Sequence, residues 1–430
     1  MNLSVPVLLT VIAEPLVGLA DTAFVKELGA ASLGGVGAAT AVVSGALWIL
    51  NFLAVSTHTE VARLDGAGRR NSAGGAVAVA LAVAVSLGAV LAIALFAGAE
   101  EASKAMGATG QLKVEAVTYL KIRVIGVPFW LVTVVCFGAL RGMQDMKTSV
   151  WIAVGVDLVN VALDPLFIFG VGDVQGLGVA GAAWATVFSH ILGAGISLWV
   201  LRKKIHLSGP DWSQLPKLFG VGRDMFIRTG LLTAFLIFGA REATVAGKEA
   251  AAAHQAIRQV WMLTAYMLDS VAISAQSLVG FFIGGGSVAQ ARRVAGVTVR
   301  LNLWFGVGIT ILMLVAEPWV AALLVPASAV PVFVAAWWAA AAGQVANSVS
   351  FATDGIHLGT ADFSYLRNAM VFSTLLAAPC LFLVDSLAGI WWVTAFWSML
   401  RALLGGVRVW PSWRSSPLYP ETSDDPLKLE

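Results

Sequence analysis

Short polar breaks cut this chain into about twelve apolar runs, each near the 20 residues that an α-helix needs to cross a bilayer. Inside a bilayer every backbone N–H and C=O must find its partner within the chain, so runs of this length are predicted to be helical. Composition agrees. Of the 430 residues 58% are hydrophobic and 12% charged, about half the charged fraction of a soluble domain. The expected fold class is an all-α polytopic membrane protein. Spans are predicted near 3–25, 36–62, 75–98, 115–140, 149–171 and 177–201, then near 217–246, 253–283, 297–320, 327–358, 365–384 and 387–407. Residues Met1 to Leu19 lack a basic leader and run on into apolar sequence, which reads as a first span and not as a cleaved signal.

The longest break, Arg202 to Pro216, divides the chain. The expected organisation is an N-lobe over 1–201, a linker over 202–216, a C-lobe over 217–410 and a disordered tail over 411–430 rich in Pro, Ser and acid. Alternate loops carry the bases: Arg63, Arg69 and Arg70; Arg141 and Lys147; Arg202, Lys203 and Lys204; Arg292 and Arg293. The positive-inside rule makes that side, the linker, the tail and both termini cytoplasmic. The halves also repeat. Gly138-Ala-Leu-Arg-Gly142-Met-Gln-Asp145 closes the fourth span, and Gly355-Ile-His-Leu-Gly359-Thr-Ala-Asp362 closes the tenth. Both read G-x-x-x-G-x-x-D, a close-packing pattern with a trailing acid. Six plus six spans with matching loops on one side imply two six-helix lobes related by a pseudo-two-fold axis along the membrane normal.

The run Asp157-Leu-Val-Asn160-Val-Ala-Leu-Asp164-Pro165 sets two carboxylates and an amide in apolar sequence. At i, i+3 and i+7 they share one helix face. A charged side chain at the centre of a bilayer costs about 2.5–3.5 kcal/mol, so a proton or ion site is the default reading. Glu14 and Asp21 lie two turns apart on the first span beside Pro15. Other in-span polar residues are open to either role: Asp354 could contact substrate or pack against a base, and Glu60 reads as a salt bridge at the interface. Arg123 and Arg228 are read as snorkelling from helix ends. His58, His190, His254 and His357 read as polar packing residues, and most of the sixteen tryptophans as interface anchors and packing. Cys136 and Cys380 lie in apolar spans and suggest no disulfide.

Several stretches together resemble the MATE (multidrug and toxic compound extrusion) transporters of the DinF-like branch. They are Glu14-Pro-Leu-Val-Gly-Leu-Ala-Asp21, the Gly138–Asp145 motif, Asn160-Val-Ala-Leu-Asp164-Pro165, Gly178-Val-Ala-Gly-Ala-Ala, and Asp354 through Met370. The resemblance implies an alternating-access exporter driven by a proton or sodium gradient. It assigns cation coupling to Asp21 and Asp164, with Asn160 and Thr186 beside them and Asp157 as an additional acid. Sodium, if it is the ion, would sit at Asp21 and Asp164, and no other metal is expected. The resemblance also turns the seventh and eighth spans toward the cavity, which makes Glu14, Arg241, Arg258, Gln276, Asn347 and Asp354 candidates for substrate contact. Gln276 and Asn347 stand where relatives often carry acids, so coupling is expected in the N-lobe.

The expected function is therefore secondary active, cation-coupled export, with the proton as driving ion, of small organic, amphipathic or cationic compounds. Fixed guanidinium groups keep an organic-anion exporter open as an alternative, and a flippase of a lipid-linked precursor is a third reading. No cofactor beyond the coupling ion is expected, nor any nucleic-acid partner, since the net charge is only +2 and no basic tract occurs. The partners are a small-molecule substrate and the lipid of a cell membrane, and the chain is expected to be a monomer. The absence of H-E-x-x-H, of G-x-S-x-G with a partner and of a phosphate-binding G-x-x-x-x-G-K-[ST] argues against an enzyme or an ATP-driven pump.

Overall fold

The computed structural model describes residues 23–172, 174–410 and 415–419, and it is helical almost throughout. In order come α1 (Ala30–Leu50), α2 (Phe52–Gly66), α3 (Arg70–Ala97), the short α4 (Ala99–Ala105), α5 (Gly110–Arg123), α6 (Val127–Gly142) and α7 (Met146–Phe169). A two-stranded antiparallel hairpin, β1 (Gly170–Val171) with β2 (Val174–Gln175), leads into α8 (Val179–Lys204). There follow α9 (Leu215–Val245), α10 (Lys248–Gly284), α11 (Val288–Leu324), α12 (Val330–Gly359), α13 (Phe363–Leu381) and α14 (Leu387–Val409).

Nine helical stretches among the described residues are long and apolar enough to cross a membrane. They coincide with nine of the expected spans. The seventh and eleventh expected spans are helices too, α9 and α13, but are less apolar: α9 carries Lys217, Arg223, Asp224, Arg228, Arg241 and Glu242. The first expected span lies outside the described residues.

The chain forms two compact units, Met1–Gly222 and Arg223–Glu430, with the boundary inside α9. In the first, Val61, Val77, Cys136, Leu140 and Leu201 join α2, α3, α6 and α8 in one core. The linker is part of this unit. Gly74 of α3 has no room for a Cβ because the His206 carbonyl lies against it, and Asp211 N–H donates to Gly75 O at 3.4 Å. In the second unit Phe235, Leu268, Phe333, Trp337 and Trp397 form the core. Residues 415–419 of the tail are placed against the second unit: Leu418 is buried and its carbonyl accepts from Arg292 Nη2 at 2.9 Å. An apolar side chain and a guanidinium in need of an acceptor hold it.

The two units repeat one plan in detail. A Cβ at Gly142 would come within 2.8 Å of the His58 carbonyl, and one at Gly359 within 2.8 Å of the Gln276 carbonyl. Gly138 and Gly355, one turn earlier, abut the backbone of Ala54 and Ala272. The glycines of G-x-x-x-G therefore bring α6 onto α2 and α12 onto α10 at backbone distance. Both helices end in the same way. Asp145 N–H donates to Leu140 O and Asp362 N–H to His357 O, each at 2.9 Å, across a residue in the left-handed region: Gln144 at φ 63° and Ala361 at φ 62°. This is a Schellman closure without the usual glycine.

The trailing acids then meet a base at the end of the last helix of their unit. Lys204 Nζ lies 2.6 Å from Asp145 Oδ2, and Arg408 Nε 2.9 Å from Asp362 Oδ2. Burial pulls the Asp145 carboxyl upward, but hydrogen bonds from Lys204 and Thr148 outweigh it and hold the group below its ordinary 3.8. Asp362 is likewise lowered: burial acts upward, and His357 and Arg408 act more strongly downward. Gly68 and Gly286, both at positive φ, close α2 and α10 with matching bonds, Arg69 N–H to Leu64 O and Ser287 N–H to Phe282 O.

Candidate functional site

Asn160 and Asp164 lie one turn apart on the buried face of α7, 5% and 1% exposed. Asp157, one turn earlier, is half-buried. All three are on a helix of 24 residues, about 36 Å long, at distances of about 16–27 Å from its start, so they lie in its middle and second half. Pro165 has no N–H to donate to the Val161 carbonyl, which opens the helix ladder beside Asp164.

The end of α7 is held by the loop that follows. Leu177 N–H donates to Phe167 O at 2.8 Å and Gly178 N–H to Ile168 O at 3.1 Å, satisfying carbonyls that a helix terminus leaves open. The return helix is then fixed in register. Gly181 abuts Phe167 O, and a Cβ at Gly193 would sit 3.1 Å from Val156. Thr186 falls between these two crossings, at the depth of Asn160 and Asp164. Its hydroxyl donates to Ala182 O at 3.0 Å, which leaves oxygen lone pairs available to a cation. The polar groups at this depth are a carboxylate, an amide and a hydroxyl, each offering the hard oxygen that a proton or a small cation takes. Glu14 and Asp21, the remaining first-unit candidates, lie outside the described residues.

The second unit does not gather its candidates into one place. Asp354 Oδ2 accepts from Arg228 Nη2 of α9 at 2.5 Å and from Arg401 Nη2 of α14 at 2.7 Å. Arg401, 6% exposed, also lies over the Trp397 ring at 4.8 Å, and Trp397 stacks on Phe235. Of the two roles left open for Asp354, the structure displays pairing with bases. Arg228, half-buried, is bound to Asp354 and is not a snorkelling residue. Asp224, one turn before Arg228, is bound by Arg367 at 2.6 Å.

Arg241 lies about 20 Å further along α9 than Arg228; it is exposed and bonds to Glu242. Arg258 is exposed on α10, whereas Gln276 and Asn347 are buried. Arg401 was missed in the sequence, although a single base within an apolar run is itself a signal that an acid faces it from another helix.

The remaining polar residues pack. His190 Nδ1 lies 3.4 Å from Gly126 O, His357 Nε2 lies 3.3 Å from Gly405 O, and the His254 ring lies against Trp391. Glu60 does form an ion pair, with Lys217. Both cysteines are free thiols. Among the described residues no group of three His, Cys, Asp or Glu side chains could hold a metal ion.

Comparison with known proteins places this arrangement. A sequence profile of the MatE family matches residues 6–166 and 230–383. The chain is 28% identical to Protein DETOXIFICATION 44, chloroplastic, of Arabidopsis thaliana, over 98% of this chain and 85% of that protein. It is 26% identical to DNA damage-inducible protein F of Escherichia coli (strain K12), over 88% of this chain and 85% of that protein. The fold superposes on a crystal structure of MATE in the bent conformation with a TM-score of 0.86, at 22% identity, covering 94% of this chain and 93% of that one. Since the profile covers most of the sequence, the chain belongs to the MatE family of multi-pass membrane transporters.

Proposed function

We propose that the protein is a secondary exporter of small organic compounds, driven by the inward flow of protons through the first unit. The reading rests on one observation above all: Asp164, 1% exposed, lies one turn from Asn160 within an apolar helix of a transporter-family chain. A carboxylate there is costly to keep charged, so it gains by exchanging its charge for a proton or a cation. In the proposed cycle, cation binding at Asp164, Asn160, Asp157 and Thr186, together with Asp21, neutralises the site. That favours the arrangement that releases substrate outward, and loss of the cation to the cytoplasm favours the return. The relatives' names, DETOXIFICATION among them, support a broad range of small substrates. The placement proposed is a cell membrane with both termini cytoplasmic, and the working form a monomer.

The test is uptake of a fluorescent organic cation into vesicles containing the purified protein, with an imposed pH gradient compared with an imposed sodium gradient. Uptake should follow the pH gradient and fall to the level of protein-free vesicles in Asp164→Asn. Uptake that follows sodium alone replaces the proton with sodium as the coupling ion. A second reading, export of organic anions, is supported by Arg228 and Arg401, two guanidiniums that share one carboxylate. If neither gradient moves the cation in folded protein, the cationic substrate class is wrong, and organic anions and labelled lipids are then assayed in the same vesicles.

A further inference from the structure

One ionic group of the second unit is not balanced within itself. Asp354 of α12 serves both Arg228 of α9 and Arg401 of α14, and each guanidinium donates through Nη2 to the same oxygen, Oδ2. The two nitrogens therefore lie within about 5 Å of each other. The side chains of Arg228, Arg401 and Asp354 are 16%, 5% and 12% exposed, so water screens the three only weakly. Elsewhere in the unit the acids have bases of their own: Asp224 has Arg367 and Arg223, and Asp362 has Arg408. At Asp354 one carboxylate answers two guanidiniums, and the group keeps a surplus positive charge.

The helices around this group also leave hydrogen-bond donors over. Gly343 of α12 abuts Ala395 of α14 and Gly405 abuts Thr353, so the two helices run parallel in one register, with Arg401 level with Val349 and Ser350. Ser350 lies seven residues after Gly343 and four before Asp354, on the α14 side of its helix. The Arg401 side chain must pass Ser350 to reach Asp354. Ser350 Oγ and Arg228 Nε are both buried, and neither has a hydrogen-bond partner among the described residues. On its other side Arg401 lies over the Trp397 ring, which stacks on Phe235, two turns along α9 from Arg228. The surplus charge is thus enclosed by α9, α12 and α14, with an N–H and an O–H to spare. Such a place repels a cation and is completed by an anion.

We propose that Arg228 and Arg401 hold a small monovalent anion, a halide or a carboxylate, between their guanidiniums, with the Ser350 hydroxyl as a further donor. Together with Asp354 the anion brings the charges of the group to balance. It is a resident of the second unit, which goes beyond the reading in which the same pair meets a transported organic anion.

The test is thermal unfolding of the full chain in detergent, with sodium chloride or sodium acetate titrated in against sodium gluconate at constant ionic strength. No gradient is applied, so the result does not depend on what the protein exports. Wild type should gain about 3–6 °C in apparent Tm once the anion exceeds its Kd tenfold. A gain in chloride alone makes the ligand a halide, and a gain in acetate a carboxylate. Arg228→Gln leaves one guanidinium to one carboxylate and should lose the gain, whereas Arg228→Lys, which keeps the charge, should retain part of it. Asp354→Asn leaves both guanidiniums unmatched and should reach its gain at a lower chloride concentration than wild type. The two Arg228 variants keep the test open if Asp354→Asn does not fold. Arg223→Gln, at an exposed base of the same unit, should respond as wild type does. The proposal is overturned if folded wild type melts alike in all three salts, or if Arg228→Gln gains as much as wild type.

Discussion

Replacing Gly138 by alanine adds one methyl group where α6 crosses α2, and the structure specifies what it meets. The new Cβ would lie 2.5 Å from the Ala54 carbonyl oxygen and 3.2 Å from its carbon and Cα. Ordinary contact begins near 3.4 Å, so the helices must part by roughly 0.9 Å at that crossing. Every atom in the way is backbone, and no rotamer change can relieve it. Overpacking of this kind costs about 1–3 kcal/mol, and the missing rotamer relief puts it at the upper end. Alanine returns about 1 kcal/mol through its higher helix propensity. The net expectation is a loss of about 1–2 kcal/mol. For a unit of this size that is a fall of about 2–8 °C in apparent Tm. Gly355→Ala, against Ala272 in the second unit, should behave alike. Gly308→Ala is the control, because a Cβ there meets nothing within 4 Å, and it should leave Tm unchanged or raise it. The assay is thermal unfolding in detergent followed by tryptophan fluorescence, at one scan rate. Wild-type stability in both Gly138→Ala and Gly355→Ala, or an equal loss in Gly308→Ala, would refute the close-packing account.

Further outcomes are expected elsewhere. Asp354→Asn removes the carboxylate that the buried Arg401 and the half-buried Arg228 share and should cost about 3–5 kcal/mol, read as a lower Tm; combined with Arg401→Gln the loss should be less than the sum of the two. Ala361→Gly relieves a non-glycine residue at φ 62° and should stabilise by about 1 kcal/mol in the same melt. Asp145 and Asp362 have carboxyls held below the ordinary 3.8, so the folded chain binds their protons less readily than the unfolded one. Their stabilisation is complete above about pH 4 and is lost as pH falls through the lower native values. A Tm series below pH 5 should therefore slope less steeply in Asp145→Asn/Asp362→Asn than in wild type.

The helices were legible because a bilayer leaves an apolar run few other choices, and Asn160 with Asp164 because i, i+4 spacing fixes a shared face whatever the surroundings. Partners on other helices were not. Asp354 finds Arg228 on α9 and Arg401 on α14, and spacing along one helix carries no information about a residue two helices away. The depth of Thr186 emerged only from the Gly181 and Gly193 crossings. The G-x-x-x-G-x-x-D motif was visible as a repeat, but not the base each acid would meet. Glu60 was expected in an ion pair near the Arg63 loop; its partner is Lys217, brought there by the linker that folds back along α3.

The matched turns of the two units also record where a chain of this kind can change length. From Gly68 to Gln144 is one residue longer than from Gly286 to Ala361, yet both intervals begin and end in the same backbone bonds. Inside a helix, one inserted residue would swing everything beyond it by about 100° and turn a lipid-facing side inward. The difference must therefore have been taken up at a joint between helices. The four turns work as fixed survey marks, and insertions tolerated by such a transporter should be sought between them, in the connections, and never along the rods.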